Sequence, residues 1–395
     1  MTNKPQFVGE KQPLENRVDY VRGVTYKAAV DLHEELDDSS YVLLRANNIQ
    51  DGELRFDDVQ YVDRAKVKQK QLLRRGDILF CASSGSKGLV GKAALVRENM
   101  PVTFGAFCCV LRPKENEAEY LAHYFQSQQY RRAIEKVCSG SNINNLKAAN
   151  FFSLVVPHYD DDSTRVISAL FDSIDAQIKH AKDQIANLDS LVKSRFVEMF
   201  LSSSWPVATI GECATDIHYG TSEKASTEGE HVYLRMNNIG DDGSLDLSDT
   251  KRITLEGKAL SNCLVRKGDL LFNRTNSREK VGKTCVFCLE EPMVVAGYII
   301  RVRLDDRVDS TYLAAYMNLS STKALLRGMA KGAVHQANIN AKQLASIEFP
   351  LADIEAQKEF VAFAQQVDKS RFVAQQQIEK LQMLYDSLAQ EYFGD

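Results

Sequence analysis

The feature that most constrains the fold of this chain is an internal repeat. LRANNI at residues 44–49 returns as LRMNNI at 234–239, and RRGDILF at 74–80 returns as RKGDLLF at 266–272. Four further pairs keep the same order, each displaced by about 190 to 197 residues: RGVTYKA and YGTSEKA, LVGK and KVGK, EYLAHYF and TYLAAYM, and SNINNL and ANINAK. This period is too long for a stacking solenoid unit, so each copy is predicted to be a domain.

Each copy is predicted to be a mixed α+β domain. YVLLRANNI and HVYLRMNNI are typical of strands that enter a polar turn, and GDILF and GDLLF of a tight turn followed by a buried strand. The stretches around 118–137 and 311–329 have helical periodicity. A length of 395 residues leaves room for two such domains, each with its own core.

A long amphipathic stretch at 164–200 separates the two copies. Its apolar residues step by three or four positions, and no Pro or Gly interrupts it. At ~1.5 Å per residue the helix would be roughly 55 Å long, more than one compact domain needs. The predicted seam comprises Ile167, Leu170, Ile174, Ile178, Ile185, Leu188 and Val192.

A second stretch of the same kind closes the chain after Pro350. Its apolar stripe includes Val367, Ile378, Leu381 and Leu388. Both stripes are longer than a typical globular helix and carry Gln, Lys, Asp and Glu on the outer face, which favours a coiled coil between them. The alternative is two separate helices, each capping its own domain.

Composition and charge narrow the class of protein. Hydrophobic residues make up 44% of the chain and charged residues 26%, as in an ordinary globular protein. The apolar runs are too short to span a bilayer and the N-terminal segment lacks the apolar core of a signal peptide, so we expect no membrane partner and a cytoplasmic location. A formal net charge of −4 is unusual for a nucleic-acid binder, but the footprint of such a binder is a local patch.

No catalytic or metal-binding motif stands out in the sequence. The CxxC at Cys285 and Cys288 lies in a strand-like segment without a second ligand pair, which favours buried reduced thiols over zinc. SREKVGKT at 277–284 lacks the first glycine of a P-loop. The sequence has no Asn-Pro-Pro-aromatic step for amino-group methylation and no evident nuclease cluster. We therefore predict a non-catalytic chain with no metal and no cofactor of its own.

The repeat, the GD-(I/L)-L-F step and the segment IEAQKEFV after Pro350 together resemble the specificity subunits of type I restriction-modification systems (HsdS). The resemblance covers nearly the whole chain. The Pro-Leu-x-Glu-Gln step of that family is matched by Pro350, Leu351, Glu355 and Gln357 with one extra residue. In the first copy the step has decayed to PHYDDDSTR, where a Thr-Arg pair stands in place of Glu-Gln.

The resemblance implies an α+β fold in which two target-recognition domains are held apart by two long helices that form an antiparallel coiled coil. It divides the chain into a polar N-terminal tail at 1–20, recognition domain 1 at 21–160, a central helix at 161–202, recognition domain 2 at 203–351 and a C-terminal helix at 352–395. It also implies that each half docks one DNA methyltransferase subunit and that restriction/translocase subunits join the complex. S-adenosylmethionine, ATP and Mg²⁺ are then expected only in those partner subunits.

Two loops that differ between the copies are the first candidates for reading DNA bases. They lie between the GDxLF and VGK blocks, at 81–88 and 273–280. Arg or Lys can pair with guanine and Asn with adenine. The candidates are Ser83, Ser84, Ser86 and Lys87 in copy one, and Asn273, Arg274, Thr275, Asn276, Ser277 and Arg278 in copy two. The alternative is that both loops are solvated hairpin tips.

A second candidate surface precedes each long helix. It comprises Asn142, Asn144 and Asn145 in copy one, and His335, Gln336, Asn338 and Asn340 in copy two. Helix capping and turn chemistry would account for the same residues. Basic residues that are predicted to contact phosphates without reading sequence are Lys66, Lys68, Lys70, Arg131, Arg132, Lys323, Arg327 and Lys331. The alternative for these is an ordinary solvated face.

The sequence therefore predicts a subunit that recognises double-stranded DNA and reads a bipartite, asymmetric target. Two similar domains on a helical rod would place two reading surfaces about one turn of DNA apart, ~34 Å, with an unread spacer between the half-sites. A coiled-coil scaffold without sequence-specific DNA binding is the runner-up, and a cryptic nuclease is the third alternative.

Overall fold

The computed structural model describes residues 9–86, 88–114, 116–139, 145–333 and 336–394. The chain divides into two compact units. Unit 1 comprises Met1–His180 and Gln377–Asp395, and unit 2 comprises Ala181–Gln376. The division passes through both long helices, so each unit contains part of each helix.

Unit 1 contains the first copy of the repeat. Its strands are β1 (Glu10–Pro13), β2 (Val18–Arg22), β3 (Leu32–His33), β4 (Ser40–Leu44), β5 (Ile49–Gln50), β6 (Glu53–Leu54), β7 (Gln60–Asp63), β8 (Ile78–Cys81), β9 (Ala93–Leu95), β10 (Val102–Phe104), β11 (Cys108–Pro113) and β12 (Val155–His158). Its helices are α1 (Ala28–Asp31), α2 (Ala118–Gln126), α3 (Gln128–Ser139), α4 (Ala148–Phe152) and the first part of α5 (Asp161–Phe196).

Two four-stranded sheets form the body of unit 1. One has the order β2-β11-β8-β9 and is antiparallel throughout, and the other has the order β10-β4-β7-β3 with a parallel β10/β4 pair. Strand β8 is buried along its whole length. Its Phe80 meets Phe125 of α2 edge to face at 4.7 Å and Phe151 of α4 at 4.9 Å. The main core of the unit therefore lies between the first sheet and the helices that cover it.

Unit 2 contains the second copy. Its strands are β13 (Val207–Thr209), β14 (Ala214–Tyr219), β15 (His231–Leu234), β16 (Lys251–Ile253), β17 (Leu264–Val265), β18 (Leu270–Asn273), β19 (Thr275–Asn276), β20 (Thr284–Val286), β21 (Met293–Val295), β22 (Ile299–Leu304), β23 (Lys331–Ala333), β24 (Gln336–Asn338) and β25 (Glu348–Pro350). Its helices are the rest of α5, α6 (Ile210–Cys213), α7 (Gly257–Cys263), α8 (Ser310–Met317), α9 (Ser320–Met329), α10 (Ala341–Ala345) and most of α11 (Ile354–Phe393).

The sheets of unit 2 repeat those of unit 1. The order β14-β22-β18-β20 matches β2-β11-β8-β9, and β16-β15-β21 matches β7-β4-β10, with β15 and β21 pairing parallel as β4 and β10 do. The fourth strand of the second sheet differs, because β17 lies beside β21 whereas β3 lies beside β7. Each helical stretch predicted after the sheets is a pair of helices, α2 with α3 and α8 with α9. The predicted duplication of an α+β domain is confirmed.

The repeated Gly-Asp step builds the same turn in both units. Gly76 and Gly268 have φ angles of 87° and 92°, a left-handed conformation that favours glycine. Asp77 and Asp269 follow, are buried, and each accepts a hydrogen bond of 2.9 Å from the backbone N–H three residues earlier. Each aspartate also pairs with an arginine on the neighbouring strand of the same sheet: Arg112 of β11 with Asp77 at 2.6 Å, and Arg303 of β22 with Asp269 at 2.9 Å.

The repeated Asn-Asn step also has a structural role. The second asparagine, Asn48 or Asn238, is 1% exposed. Its side-chain oxygen accepts a hydrogen bond from the backbone N–H three residues earlier, at 2.8 or 2.7 Å. Its side-chain nitrogen donates to two carbonyls of the following loop at 2.8 and 2.9 Å in both units. The repeated residues therefore fix the backbone of each unit.

Helices α5 and α11 pack side by side and run antiparallel. In unit 2, Arg195 pairs with Glu359 at 3.1 Å and Asp189 pairs with Arg371 at 3.0 Å. The residue number on α11 rises as the number on α5 falls, which defines the antiparallel direction. The pairing that the two apolar stripes predicted is confirmed.

The seam of α5 differs from the prediction at one position. Leu170 is 37% exposed, whereas Phe171 is fully buried and stacks on Phe393 of α11 at a centroid distance of 5.3 Å. Phe171 lies four residues after Ile167 and three before Ile174, so it shares their face of the helix. The ring of Phe171 therefore takes the buried position in place of Leu170. The other predicted seam residues are buried or half-buried: Ile167, Ile174, Ile178, Ile185, Leu188, Val192, Val367, Ile378, Leu381 and Leu388.

Candidate nucleic-acid interface

In unit 1 the two predicted reading surfaces meet. The loop that follows β8 forms an isolated antiparallel bridge between Ser83 and Asn145, and the backbone N–H of Leu146 donates to the carbonyl of Ala82 at 2.7 Å. The N–H groups of Ala82 and Ser83 both donate to the carbonyl of Phe107, at 2.9 and 3.0 Å. Three segments that are distant in sequence therefore form one surface.

Unit 2 builds the same surface on the same backbone hydrogen bonds. Strand β19 pairs with β24, which joins the second loop to the segment before α10. The N–H of Ile339 donates to the carbonyl of Arg274 at 2.9 Å, and the N–H of Arg274 donates to the carbonyl of Tyr298 at 2.9 Å. By these bonds Arg274 is the structural equivalent of Ala82, and Tyr298 of Phe107.

Arg274 is the most distinctive side chain of the second surface. Its guanidinium lies 4.7 Å from the centroid of the Tyr219 ring, and Nη1 donates to the carbonyl of Gly297 at 3.4 Å. The Nε atom is buried and has no hydrogen-bond partner. The side chain is half-buried and held against a ring, which suits a planar guanidinium that must present a fixed edge to a ligand.

The neighbours of Arg274 in this loop divide into buried and surface residues. Asn273 is fully buried and Thr275 is 8% exposed, and the Asn273 side chain donates to the carbonyl of Met236 at 3.4 Å. These two side chains face the interior. Asn276, Ser277 and Arg278 lie nearer the surface, with intermediate exposure for Asn276 and Ser277 and full exposure for Arg278.

Several candidates make local bonds of the kind that the alternative interpretations predicted. Asn340 is the N-cap of α10, and its side-chain oxygen accepts from the N–H of Gln343 at 2.9 Å. Ser84 accepts from the N–H of Ser86 at 3.2 Å, as in a simple turn. The side-chain oxygen of Asn338 is buried without a partner. Only the backbone of Gln336 is described, and Lys87, Asn142, Asn144 and His335 lie outside the described residues.

A cleft of about 610 Å³ opens beside the loop of unit 1. Residues from three loops line it, among them Arg45, Asn47, Ser83, Ser84 and Phe107. The candidates predicted from the sequence did not include Arg45, Asn47 or Phe107. The signal for the first two was the repeated Leu-Arg-x-Asn-Asn-Ile block itself.

Arg45 and Arg235 occupy equivalent positions and bind the same kind of partner. Each pairs with an aspartate at 2.8 Å, Asp58 in unit 1 and Asp249 in unit 2. In both arginines Nε is buried without a hydrogen-bond partner. The two arginines therefore share both an ion pair with an aspartate and a buried Nε donor without a partner.

The predicted phosphate contacts fall into two groups. Lys68, Lys70, Arg132, Arg327 and Lys331 are exposed, and Lys66 is exposed and pairs with Asp31 at 3.1 Å. Arg131 and Lys323 instead support the loops from behind, because Arg131 donates to the carbonyl of Val90 at 3.1 Å and Lys323 to that of Gly282 at 2.6 Å. Burial lowers the pKa of Lys323 to about 8.

The described part of the chain answers two further questions: whether it holds a cluster of metal ligands, and whether it has a helix that could span a membrane. It contains no group of three or more His, Cys, Asp or Glu side chains placed to hold a metal ion. No helix within it is both long and apolar enough to cross a membrane. In the CxxC, Cys285 is buried on β20 and Cys288 is exposed beyond the end of the strand. Burial raises the pKa of the Cys285 thiol to about 12, which keeps the thiol protonated.

The fold and these surfaces define a class of protein with two homologous α+β domains, each of which presents a loop surface, and a shared antiparallel helix pair. The chain belongs to the family described as type I restriction modification DNA specificity domain, which matches residues 22–189 and 207–383. The predicted relationship to type I specificity subunits is confirmed.

Two curated relatives extend this match over most of the chain. The StySPI specificity subunit of Salmonella potsdam is 27% identical over 400 residues, which cover 96% of this chain and 86% of the relative. The EcoKI specificity subunit of Escherichia coli (strain K12) is 27% identical over 378 residues, covering 90% and 81%. Both relatives are specificity subunits of type I restriction enzymes.

Two solved structures have the same fold. A chain from a structure of a type I R-M system, determined to study complex assembly and conformational transition, is 18% identical with a TM-score of 0.55 and covers 99% of each chain. The S subunit of a type I restriction-modification system from M. genitalium is 14% identical with a TM-score of 0.51, covering 100% of this chain and 98% of that one.

Proposed function

We propose that this chain is the non-catalytic subunit that recognises DNA sequence for a type I restriction-modification complex. Unit 1 reads one half-site and unit 2 reads the other. The observation that carries the proposal is that both units build one loop surface on equivalent backbone hydrogen bonds, yet the side chains on the two surfaces differ. A shared frame with different side chains is what two different half-sites require.

The side chains support an asymmetric target. Unit 2 presents Arg274, whose guanidinium can pair with O6 and N7 of guanine in the major groove. At the equivalent position unit 1 has Ala82, beside the hydroxyls of Ser83 and Ser84 and the cleft. Unit 2 should therefore prefer guanine at the contacted position, and unit 1 should have a different preference.

The paired helices α5 and α11 act as a ruler, because their length sets the spacer between the half-sites. The complex includes two DNA methyltransferase subunits, one for each half, and restriction/translocase subunits. S-adenosylmethionine, ATP and Mg²⁺ act in those partners, and this chain acts in the cytoplasm. Family membership supports these assignments, and the antiparallel helix pair supports the ruler.

The first experiment is to co-express the chain with its methyltransferase subunit and map the modified bases. A bipartite target with two unlike half-sites is the expected result. Methylation without sequence preference, or a complex that binds all DNA equally, would favour the scaffold alternative.

The second experiment changes the ruler. Seven residues are inserted into α5 after Lys182 and seven into α11 after Gln375, which preserves the antiparallel register. Each helix lengthens by ~10.5 Å, or roughly three base pairs of DNA. The mapped target should keep both half-sites and gain about three base pairs of spacer. An unchanged spacer would refute the ruler, and the same insertion in α5 alone is the mispaired control.

A further inference from the structure

Both units expose an aromatic ring at the same backbone position. Phe107 is 70% exposed and Tyr298 is 49% exposed. Phe107 lies between β10, which pairs parallel with β4, and β11. Tyr298 lies between β21, which pairs parallel with β15, and β22. The sequences around the two rings differ, FGAFCC against VAGYII, so the shared property is an exposed ring.

Matched hydrogen bonds hold the two turns in the same conformation. In unit 1 the N–H of Gly105 donates to the carbonyl of Leu44 at 2.9 Å, and the N–H of Cys108 donates to that of Gly105 at 2.8 Å. The corresponding bonds of unit 2 have the same lengths: Ala296 to Leu234 at 2.9 Å, and Ile299 to Ala296 at 2.8 Å. The carbonyl of Phe107 accepts from the N–H of Ala82, and the carbonyl of Tyr298 accepts from the N–H of Arg274. The rings therefore project from fixed backbone.

The surroundings of the rings indicate a ligand with both polar groups and flat faces. Phe107 lines the cleft of unit 1 together with Arg45, Ser83 and Ser84. The N–H of Arg274 donates to the carbonyl of Tyr298, which places that cation and that ring on one surface. Exposed aromatic surface is unfavourable in water, and its presence in both copies beside polar loops marks a contact surface.

We infer that Phe107 and Tyr298 each stack on a base of their half-site, at a step that opens when the duplex binds. This inference rests on the proposed function and adds a mode of contact to it. The side chain of Phe107 has no hydrogen-bonding group, so it can act only through its ring face and edge. Aromatic residues that enter a DNA groove unstack a base step, and stacking of a base on a protein ring is worth enough to stabilise the opened step.

The inference separates two kinds of residue at each half-site. The reading loops identify base edges by hydrogen bonds, and the rings stabilise an opened step whose sequence affects the cost of opening. Removal of a ring should therefore weaken binding to cognate DNA by about 5- to 150-fold, the range for the loss of one stacked base. The salt dependence of binding, which reports phosphate neutralisation, should stay unchanged.

The test uses the full chain in complex with its methyltransferase subunit, after the target has been mapped. Duplexes carry 2-aminopurine at successive positions of each half-site, because the emission of this base reports local unstacking. The variants are Phe107→Ala, Tyr298→Ala, Phe107→Tyr and Tyr298→Phe. The matched control is Phe372→Ala, which removes a 63% exposed ring from α11. Complexes of verified subunit composition are compared.

The wild-type complex should change the emission at one position in each half-site. Phe107→Ala should abolish the change in the first half-site only and weaken binding, Tyr298→Ala should do so in the second only, and both aromatic exchanges should behave as wild type. Wild-type affinity and emission in both alanine variants, or equal losses in the alanine and aromatic variants, would overturn the inference. If the wild-type complex shows no preference for a mapped target, the proposed function itself fails.

Discussion

The loops that follow β8 and β18 have equivalent backbone hydrogen bonds and different side chains. In unit 1 the backbone of Ala82 donates to Phe107 and accepts from Leu146. In unit 2 the backbone of Arg274 donates to Tyr298 and accepts from Ile339 in the same way. One side chain ends at a methyl group, and the other carries a guanidinium over a tyrosine ring. The difference teaches that the backbone frame can stay constant while the side chains on the loop surface change.

The supports behind the loops differ as well. In unit 1 two residues of α3 hold the loop, because the Tyr130 hydroxyl donates to the carbonyl of Gly91 at 3.0 Å and Arg131 donates to that of Val90. In unit 2 Lys323 donates to the carbonyl of Gly282. Gly91 and Gly282 have φ angles of 83° and 84°, so the supported turn is the same. Different side chains stabilise one turn.

The largest expected effect tests whether the frame is truly equivalent. Asp77→Ala and Asp269→Ala each remove a buried carboxylate that caps the Gly-Asp turn and pairs with an arginine. We expect each to lower the free energy of unfolding of its unit by about 3 kcal/mol, measured by urea denaturation followed by circular dichroism. Asp19→Ala removes an exposed carboxylate and is the control. A large loss for one aspartate and a small loss for the other would break the equivalence.

The next prediction concerns the lysine that supports the loop of unit 2. The pKa of Lys323 is lowered to about 8 by burial, below the ordinary value of about 10.4, so the unfolded chain binds this proton more tightly. The contribution of Lys323 to the free energy of unfolding should therefore be least favourable below pH 8. It should increase by up to about 3 kcal/mol as the pH rises toward 10.4.

Urea denaturation of wild type and Lys323→Met between pH 7 and pH 10 isolates this group, because other titrations occur in both proteins. The stability of wild type relative to the variant should increase with pH. A difference that stays constant with pH would contradict the lowered pKa of Lys323.

The third prediction sharpens the contrast between the loops themselves. Arg274→Ala should relax the base preference of the second half-site by about 1–3 kcal/mol at one position and leave the first half-site unaltered. The measurement is methylation of duplex libraries in which each half-site is randomised in turn. Arg274→Lys keeps the charge but not the planar edge that pairs with a base. Relative to Arg274→Ala, it should recover more of the overall DNA affinity than of the base preference. Equal relaxation of both half-sites would contradict the assignment.

The pattern of the sequence was sufficient to predict the architecture. Six repeated blocks in order predicted two equivalent α+β units, because the repeated residues are those that fix turns, such as Asn48 and Asp77. Two uninterrupted apolar stripes predicted the helix pair. The exposure of Leu170 was not predictable, since both it and Phe171 fit a step of three or four, and only packing against Phe393 decides between them.

The candidate site proposed from loop composition remains a prediction, and the structure changes which side chains belong to its surface. The two surfaces in each copy meet because backbone pairing joins them, which no local pattern reports. Asn273 reads as a loop residue but ends β18 and is buried, because the strand continues one residue past the repeated block. Arg45 and Phe107 were missed because their role depends on three loops that converge in space.

The smallest expected effect compares how the two units would hold the DNA backbone. Lys68→Ala with Lys70→Ala in unit 1, and Arg327→Ala with Lys331→Ala in unit 2, remove exposed cations. Each pair should weaken binding of all sequences alike by a few fold and reduce the slope of log affinity against log salt by about one for each phosphate that is no longer neutralised. Fluorescence anisotropy with target and scrambled duplexes at several salt concentrations measures both quantities. A change in base preference with an unchanged slope would mean that these residues read sequence, and that orienting and reading contacts are not separate in this protein.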